Sequence, residues 1–334
     1  MKSINNKLIV VVLICCMIIP VLTGCKNQTV LSDPYSNYVI LADENNNVNY
    51  VDFNTTVDFL ASDLCVTEDD NLRVDEIGNT YVGAGAVFDI TKKEVLYSYN
   101  LFEQRYPASM TKVLTAYITL KYCKLDEQVM VGENAVDMPS GAVTCGINVG
   151  DVLTVKDLLY ALLLVSANDA AVALAEHISG SVEDFAVLMN EEARMMGATG
   201  THFVNPHGLH SDDHYTTVYD MYLMFNQAIK NSLFREIINT LTYTATYQSV
   251  RGSQVQKTYS NSNKFLNGEK DYPDNFSVIG GKTGTTHNAG KCLIILVTDA
   301  NNNEYILVAF GCDTRDILYD YLSRQMDFIN DIKE

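Results

Sequence analysis

The segment RYPASMTKVLTAY, residues Arg105–Tyr117, places a serine and a lysine three positions apart inside an otherwise apolar stretch. The apolar residues that follow Ser109 recur with helical periodicity, so the sequence predicts a helix that begins near Ser109. Side chains three positions apart on a helix share one face, with Cβ atoms about 5–6 Å apart. Ser109 and Lys112 are therefore predicted to lie side by side.

This pair has the chemistry of a nucleophile and its base. A serine hydroxyl is a weak nucleophile until a neighbouring base takes its proton. A lysine can be that base only if its pKa falls by about three units from its usual value near 10.4. Burial and a second positive charge both lower the pKa of a lysine. The motif S-x-x-K is too short to establish this chemistry without further motifs.

Two other short motifs point to the same kind of site. The segment SAN, residues 166–168, follows the apolar run Leu158–Val165, which is predicted to be a helix buried on every side. Polar groups at the end of such a helix are costly unless they have partners, so they are predicted to line an interior site. The segment GGKTGTT, residues 280–286, opens a strand region and supplies Lys282, Thr283 and Thr285.

The ordered set S-x-x-K, S-x-N and K-T-G resembles the signature of penicillin-binding proteins and serine β-lactamases. From Tyr81 to the C-terminus the chain is similar to the low-molecular-weight D-alanyl-D-alanine carboxypeptidases, most clearly in AVFDITKKEVLYSYNLFEQRYPASMTK, LTVKDLLYALLLVSANDAAVALAEHISGS and THFVNPHGLH. The resemblance implies a β-lactamase/DD-peptidase-like α/β (α+β) fold. It also implies a serine hydrolase that removes the terminal D-alanine of peptidoglycan stem peptides and is acylated by β-lactams, with a role in cell-wall biosynthesis.

The resemblance assigns catalytic roles to three residues. Ser109 would attack the carbonyl between the two D-alanines and form an acyl-enzyme, and Lys112 would take its proton. Ser166 would relay protons to the leaving amine and back. The oxyanion hole would be the backbone N–H groups of Ser109 and Thr285.

It also assigns substrate-binding roles. Asn168 would hold the substrate amide and orient Lys112. Lys282 would attract the substrate's terminal carboxylate, and Thr283 and Thr285 would hydrogen-bond to it beside Gly284. The chain departs from the family in having Ala167 where many members have glycine, and little effect is expected there.

The order of elements predicts the architecture. The segments YVGAGAVFDI and EVLYSYN, joined by Thr91–Lys93, predict one β-hairpin, and KCLIILVTDA and EYILVAFGC, joined by Asn301–Asn303, predict a second. Helices lie between them, and a further amphipathic helix ends the chain. An antiparallel sheet built from both chain ends, with helices packed on it and an inserted helical region, is therefore expected. Residues 124–154 are expected to be irregular.

The N-terminus has the features of an export signal. Lys2 and Lys7 precede fifteen apolar residues, Leu8–Leu22, which are too few to span a bilayer easily. The following LTGC resembles the lipobox of bacterial lipoproteins, and ordinary secretion or an uncleaved anchor are the alternatives. The expected organisation is a signal peptide over residues 1–24, a spacer lipid-anchored at Cys25 over 25–80, and a catalytic domain over 81–334 without a C-terminal β domain. The chain would then lie on the extracytoplasmic face of the cell membrane.

Bulk composition restricts the partners. The 334 residues carry a formal charge of −18, which argues against nucleic acid as a partner. Neither a cofactor nor a metal is predicted, and a monomer is expected. Five cysteines remain beyond Cys25, and one disulfide is possible without a favoured pair: Cys65, Cys123, Cys145, Cys292 and Cys312. Of these, Cys123 and Cys292 are interpreted as small core residues.

Several alternatives stay open. A transpeptidase or DD-endopeptidase would share the same three motifs. A class A β-lactamase would need a glutamate-bearing E-x-x-L-N stretch between the second and third motifs, and this chain has none there. A β-lactam sensor lipoprotein that acylates without turnover is a third possibility. The histidine-rich segment His207–His214 suggests metal binding only weakly, because its spacing is not that of a zinc motif.

Overall fold

A computed structural model of the protein describes residues 38–42, 48–52, 61–78 and 81–333. The predicted signal peptide and Cys25 lie outside the described residues. The chain divides into two compact units, Met1–Ser62 and Asp63–Glu334. In the first unit, strand β1 (Tyr38–Ala42) pairs antiparallel with β2 (Val48–Asp52).

The second unit begins earlier than the boundary at residue 81 that the sequence suggested. Cys65 is fully buried and Ile77 is nearly so. The backbone of Leu72 exchanges hydrogen bonds with that of Ser98. Residues from Asp63 onward therefore belong to the same folded body as the catalytic motifs. Their apolar residues are too scattered to reveal this packing in the sequence.

This unit contains both helices and strands, and most of its helices lie between two sets of strands. The helices are α1 Val74–Ile77, α2 Lys112–Tyr122, α3 Glu133–Val136, α4 Val155–Tyr160, α5 Asn168–Ser179, α6 Val182–Met195, α7 Val218–Ala228, α8 Ser232–Asn239 and α9 Arg315–Asp331. The strands are β3 Ala84–Asp89, β4 Glu94–Tyr99, β5 Gln128–Met130, β6 Val152–Thr154, β7 Thr242–Gln248, β8 Gln254–Ser260, β9 Phe276–Thr286, β10 Gly290–Asp299 and β11 Glu304–Cys312.

The main sheet has five antiparallel strands in the order β4-β3-β11-β10-β9. Its register pairs Ala86 of β3 with Val308 of β11, and Ile306 of β11 with Leu296 of β10. Strands from near the start and the end of this unit thus meet at the β3–β11 pair. This confirms the predicted sheet built from both ends of the chain, with the helical region inserted between them.

Both faces of the sheet are covered. Along β10, Ile294 and Leu296 belong to the core shared with the central helices, whereas Leu293 and Ile295 belong to a second core that includes α9. Successive side chains of a strand point to opposite faces. A strand buried on both faces therefore needs apolar residues at every position, which is why KCLIILV lacks alternation.

The two predicted hairpins are present, and aspartate side chains shape both turns. Asp89 Oδ1 accepts hydrogen bonds from the backbone N–H groups of Thr91 and Lys92. Asp299 Oδ1 accepts in the same way from Asn301 and Asn303. A short carboxylate that binds nearby N–H groups replaces part of the hydrogen bonding that a turn interrupts.

A second sheet, in the order β5-β6-β7-β8, was missed from the sequence. Two of its strands lie within residues 124–154, where irregular structure was expected. Both are only three residues long, so they show no periodicity. The other two form a hairpin whose buried positions alternate along β7, with Ala245 and Tyr247 facing inward.

The apolar run that ends at Val165 is buried as predicted, but it changes its helical form. Residues Val155–Tyr160 form α4, and Ala161–Val165 continue as a single π-helical turn. Thr154 and Asp157 form a capping box at the start of α4. The π-turn ends at Ser166, which has a left-handed backbone with φ of 66°. The left-handed conformation of Ser166 therefore changes the direction of the chain at the second motif.

The five cysteines beyond Cys25 are free thiols, so no disulfide forms among them. Cys292 is fully buried, as expected, whereas Cys123 is only partly covered. Of the helices in the described part of the chain, none has the length and apolar character needed to cross a membrane.

We predict that Asp157→Ala lowers the free energy of unfolding by about 1–3 kcal/mol. The nearly buried Asp157 carboxylate accepts hydrogen bonds from Thr154 Oγ1 (2.6 Å) and Tyr243 Oη (2.8 Å), and thereby ties α4 to β7. Tyr243→Phe removes only the second bond and should cost less. Denaturant unfolding of both variants beside exposed Asp126→Ala checks this. Equal stability of Asp157→Ala and Asp126→Ala would contradict it.

Candidate active site

The serine of the first motif lies on a tight turn. Residues Ala108–Thr111 form a 3₁₀ turn, and α2 begins only at Lys112, so the helix starts later than predicted. Ala108 has a left-handed backbone with φ of 48°, which is uncommon for a residue other than glycine. Such a conformation persists only where the surroundings enforce it, and here it aims Ser109 into a cleft.

A chain of hydrogen bonds holds this turn. The Val204 N–H group donates to His214 Nδ1, so the ring proton lies on Nε2 and points at Thr111 Oγ1, 2.8 Å away. Thr111 Oγ1 in turn donates to the Ala108 carbonyl (2.8 Å). Burial lowers the pKa of His214 to about 3, so this ring stays neutral. The histidine is thus part of the support for the serine turn.

A glycine packs directly against the same turn. Gly208 has φ of +84°, and a Cβ atom on it would lie 1.9 Å from the Ala108 carbonyl oxygen. Only a residue without a side chain fits at that distance. The loop that follows His207 therefore packs directly against the serine turn and supports it.

The Lys112 amine lies at the centre of a fully buried network. Its Nζ atom is 3.0 Å from Ser109 Oγ, 2.7 Å from Asn168 Oδ1 and 2.6 Å from the His207 carbonyl oxygen. The side chain has no exposed surface. The structure thus brings together the predicted nucleophile, its base and the asparagine of the second motif.

Three oxygen atoms around Nζ match the three N–H donors of an ammonium ion, and they also accommodate an uncharged amine that accepts from Ser109. A neutral –NH₂ group has two N–H donors and one lone pair. The Asn168 and His207 oxygens can accept only, so they take both donors and leave the lone pair for the Ser109 hydroxyl. Burial, and next the charge of Lys282, hold the pKa of Lys112 well below its ordinary value of 10.5, while Asp169 opposes the shift. Lys112 can therefore act as the proton acceptor of Ser109.

Ser166 and Lys282 form a second polar pair. Lys282 Nζ donates to Ser166 Oγ (3.0 Å) and to the Thr283 carbonyl (2.9 Å). Burial lowers the pKa of Lys282 to about 7. The π-turn before Ser166 and strand β9, which carries Lys282, are distant in sequence but deliver the two groups to one place.

Strand β9 forms one wall of the cleft. Gly284 packs so closely on the serine turn that a Cβ atom there would lie 2.8 Å from the Pro107 carbonyl oxygen. Thr283 Oγ1 lies 3.0 Å from Ser262 Oγ, and Thr285 is exposed beside them. The third motif thus places its two threonines next to Ser109.

The cleft has a volume of about 160 Å³ and contains residues from all three motifs. Its lining includes Ser109, Ser166, Thr283, Gly284 and Thr285, and the functional groups of Lys112, Asn168 and Lys282 lie beneath it. Every predicted site residue from Ser109 to Thr285 is therefore gathered at or directly below one cleft.

Three polar residues of the cleft were missed from the sequence. They are Ser262, Lys264 and Arg315. Arg315 is the first residue of α9, where it resembled an ordinary surface charge, and the other two follow β8, which was not predicted. The order of the strands, rather than any local motif, brings them to the site.

A buried aspartate next to the second motif also escaped notice. Asp169 accepts hydrogen bonds from the backbone N–H groups of Cys145 and Gly146, each at 2.9 Å. The Asn168 N–H group donates to the Val143 carbonyl at 2.8 Å. These bonds fix the loop that brings Val143 to the rim of the cleft.

The histidine-rich segment does not form a metal site within the described residues. His207 Nδ1 accepts from the Leu209 N–H group, and burial lowers the pKa of His207 to about 3. His210 contacts Asn288 and Asp212. These rings have separate partners, so the weak suggestion of metal binding by this segment gains no support.

Comparison with known proteins identifies similar chains. The D-alanyl-D-alanine carboxypeptidase family, peptidase S11, matches residues 79–314. The D-alanyl-D-alanine carboxypeptidase DacF of Bacillus subtilis (strain 168) is 32% identical over 266 residues, which cover 78% of this chain and 64% of the relative. The D-alanyl-D-alanine carboxypeptidase DacA of Haemophilus influenzae is 31% identical over 249 residues, covering 70% of this chain and 57% of the relative.

A solved structure agrees with this similarity. The DD-transpeptidase of Streptomyces K15 superposes with a TM-score of 0.69 at 28% identity, covering 74% of this chain and 96% of that one. The match confirms the predicted fold class. The chain spans about six tenths of the length of the two curated relatives.

We predict that Gly208→Ala disturbs the serine turn more than a matched glycine substitution does. Gly180 has nearly the same φ, +83°, but no atom lies within 4 Å of a Cβ atom there. Gly180→Ala should cost only the backbone term, about 1–2 kcal/mol. Gly208→Ala should cost about 1–3 kcal/mol more, because the Ala108 carbonyl must move.

The displacement should also slow acylation of Ser109 by about 10²-fold, since a shift of about 1 Å can cost that much. Thermal unfolding and the rate of labelling by a fluorescent penicillin measure the two effects. If the two alanine variants are equally stable and equally reactive, the close contact between Gly208 and Ala108 has no role.

Proposed function

The chain belongs to the D-alanyl-D-alanine carboxypeptidase family, peptidase S11, and from this premise we propose that it is a serine-type DD-carboxypeptidase. It removes the terminal D-alanine from peptidoglycan stem peptides. The observation that carries the proposal is the contact of 3.0 Å between Ser109 Oγ and the buried amine of Lys112. The two carbonyl acceptors of that amine leave its lone pair free for the serine proton.

In the first step Ser109 attacks the carbonyl carbon between the two D-alanines while its proton moves to Lys112. Negative charge develops on the carbonyl oxygen as the tetrahedral intermediate forms. The backbone N–H groups of Ser109 and Thr285 stabilise this oxyanion, because fixed donors need no reorganisation when the charge appears. Asn168 keeps the amine of Lys112 in line with the serine.

In the second step the C–N bond breaks and an acyl-enzyme remains on Ser109. The departing D-alanine amine needs a proton, and Ser166, whose hydroxyl accepts a hydrogen bond from Lys282 Nζ, relays to it the proton that Lys112 took from Ser109. Water then attacks the ester, with Lys112 as its base, and releases the shortened peptide. As the ester bond breaks, the proton that Lys112 took from this water passes to Ser109 Oγ and restores the free enzyme.

Recognition of the terminal carboxylate rests on a local reversal of charge. Lys282 lies directly under the cleft and Arg315 lies on its wall, in a chain of net charge −18, whereas Lys264 on the same wall is paired with Glu269. Thr283 and Thr285 add hydroxyl donors. A cleft that concentrates positive charge attracts a carboxylate despite the overall field of the protein.

β-Lactams are proposed as covalent inhibitors of the same serine. A DD-transpeptidase activity is the second candidate, because the Streptomyces K15 structure, which superposes on this chain, bears that name. It differs only in the acceptor, since an amine would replace water at the acyl-enzyme. The class A β-lactamase and sensor alternatives are outcomes of the same test.

The test is release of free D-alanine from an acylated Lys-D-Ala-D-Ala peptide by the full chain in detergent. We expect release by the parent chain and a loss of at least about 10⁴-fold in Ser109→Ala, because the nucleophile is gone. Exposed Ser232→Ala is the matched control and should keep full activity.

Release by Ser109→Ala would contradict the proposed mechanism. Product formed only when an acceptor amine is present would indicate a transpeptidase, and rapid hydrolysis of penicillin without D-alanine release would indicate a β-lactamase. Stable labelling of Ser109 by penicillin, with no turnover of any of these substrates, would indicate a sensor.

We predict a bell-shaped pH profile for kcat/KM. Lys112 must be unprotonated, so activity rises as pH increases through its lowered pKa. Lys282 must be protonated to attract the carboxylate, so activity falls as pH increases past its pKa of about 7. A bound carboxylate stabilises protonated Lys282, so the alkaline limb of kcat should lie at higher pH than that of kcat/KM. Identical alkaline limbs for the two parameters would refute this role of Lys282.

We further propose that the protein is a monomer tethered by lipid at Cys25 to the extracytoplasmic face of the membrane. The support is the LTGC segment after fifteen apolar residues. Expression in a bacterial host with labelled fatty acid should label the parent chain and fail to label Cys25→Ser. Equal labelling of both would exclude the lipid, and light scattering of the detergent-solubilised chain would test the monomer.

A further inference from the structure

A second group of reactive side chains lies away from the cleft. Cys123 directly follows α2, Glu127 lies in the short connection to β5, and His177 lies in the last turn of α5. One donor atom from each lies within 4.8 Å of the other two. Within the residues that the structure describes, no other group of three cysteine, histidine or acidic side chains comes together in this way.

The donor set is one that zinc accepts. A thiolate, an imidazole nitrogen and a carboxylate oxygen are all common zinc ligands, with bonds of about 2.0–2.3 Å. Donors around a tetrahedral zinc ion are therefore about 3.5 Å apart, so small side-chain rotations would close the group around an ion. Calcium and magnesium prefer sites made only of oxygen, which makes the sulfur ligand selective against them.

The donors are already held in position. Glu127 Oε1 accepts a hydrogen bond from the Lys124 N–H group (2.8 Å), which leaves Oε2 to face His177 Nε2 at 3.1 Å. The Cys123 N–H group donates to the Thr119 carbonyl and fixes the cysteine at the end of its helix. Hydrogen bonds of this kind orient the ligands of metal sites.

The surroundings favour a cation and allow it to enter. Cys123 follows the end of α2 and His177 lies in the last turn of α5, where the unpaired carbonyls of a helix carry partial negative charge. The His177 side chain keeps 26% of its surface exposed and that of Glu127 keeps 37%, so the site is open to solution. Burial raises the pKa of the Cys123 thiol to about 11, so zinc binding would release one proton as the Zn–S bond forms.

We propose that Cys123, Glu127 and His177 bind a zinc ion, with water in the fourth position, and that this ion clamps the C-terminal ends of α2 and α5. The two helices begin at Lys112 and Asn168, whose side chains are hydrogen-bonded in the active site. The ion therefore joins the far ends of the two helices that the catalytic network joins at their near ends. It touches no reacting atom and acts by positioning, whether or not Ser109 is a nucleophile.

The first experiment measures metal binding by the full chain in detergent, reduced and stripped of metal. Zinc is titrated in competition with a chromophoric chelator, and cobalt is used as an optical probe. We expect one zinc per chain and a sulfur-to-cobalt charge-transfer absorption, both lost in Cys123→Ser and in His177→Gln. His287→Gln, which alters another exposed histidine, should bind zinc as the parent does.

Zinc at about 100 times its Kd should raise Tm by about 5–10 °C in the parent and in His287→Gln. No shift is expected in Cys123→Ser. Saturable binding that survives in Cys123→Ser, a cobalt spectrum without the thiolate band, or no binding at all would each overturn the site.

The second experiment tests the clamp by amide hydrogen exchange with and without zinc. We expect zinc to slow exchange in the last turns of α2 and α5 together in the parent, and in neither helix of His177→Gln. Zinc binding without slower exchange in both helices would overturn the clamp and leave only a surface metal site.

Discussion

The burial of one lysine amine governs the organisation of this protein. Lys112 Nζ has no exposed surface, and its nearest partners are a hydroxyl and two carbonyl oxygens. A charged ammonium in such a place carries a large desolvation cost, so the fold favours the neutral form. Everything that shapes this pocket, from the serine turn to strand β9, therefore also sets the basicity of one nitrogen atom.

Two lysines with lowered pKa values share this small region, and their tasks differ. Lys112 is surrounded by acceptors and is needed without its proton. Lys282 contacts Ser166 Oγ and is needed with its proton when a carboxylate arrives. Each disfavours a charge on the other, so a site with one neutral and one protonated amine is the stable combination. The acidic surface of the remaining chain does not reach this balance, because the amines are buried and the exposed charges are screened by solvent.

Much of the main sheet and of the active site could be predicted from the sequence. Ser109 and Lys112 are close in the chain, and their relation depends only on local geometry. The main sheet was predictable because its three central strands, β3, β10 and β11, are almost continuously apolar. The positions of Arg315 and Ser262 in the cleft could not be predicted, because only the tertiary structure brings these residues there. The hairpin of β7 and β8 left a readable trace, the alternation of exposed threonines with inward Ala245 and Tyr247, which was overlooked among polar residues.

The groups that meet in the active site are far apart in the sequence, so the reactivity of the site depends on the completed fold. Ser109, Asn168 and Lys282 come from three separated parts of the chain and meet only when the helical region and the main sheet have closed on each other. Until then Lys112 is hydrated, has the ordinary pKa of an exposed amine near 10.5, and is protonated. When the site is not assembled, Ser109 is therefore an unactivated alcohol and Lys112 is an ordinary ammonium ion. Chemical reactivity therefore belongs to the assembled fold, because only there does Ser109 lie against a buried amine of lowered pKa.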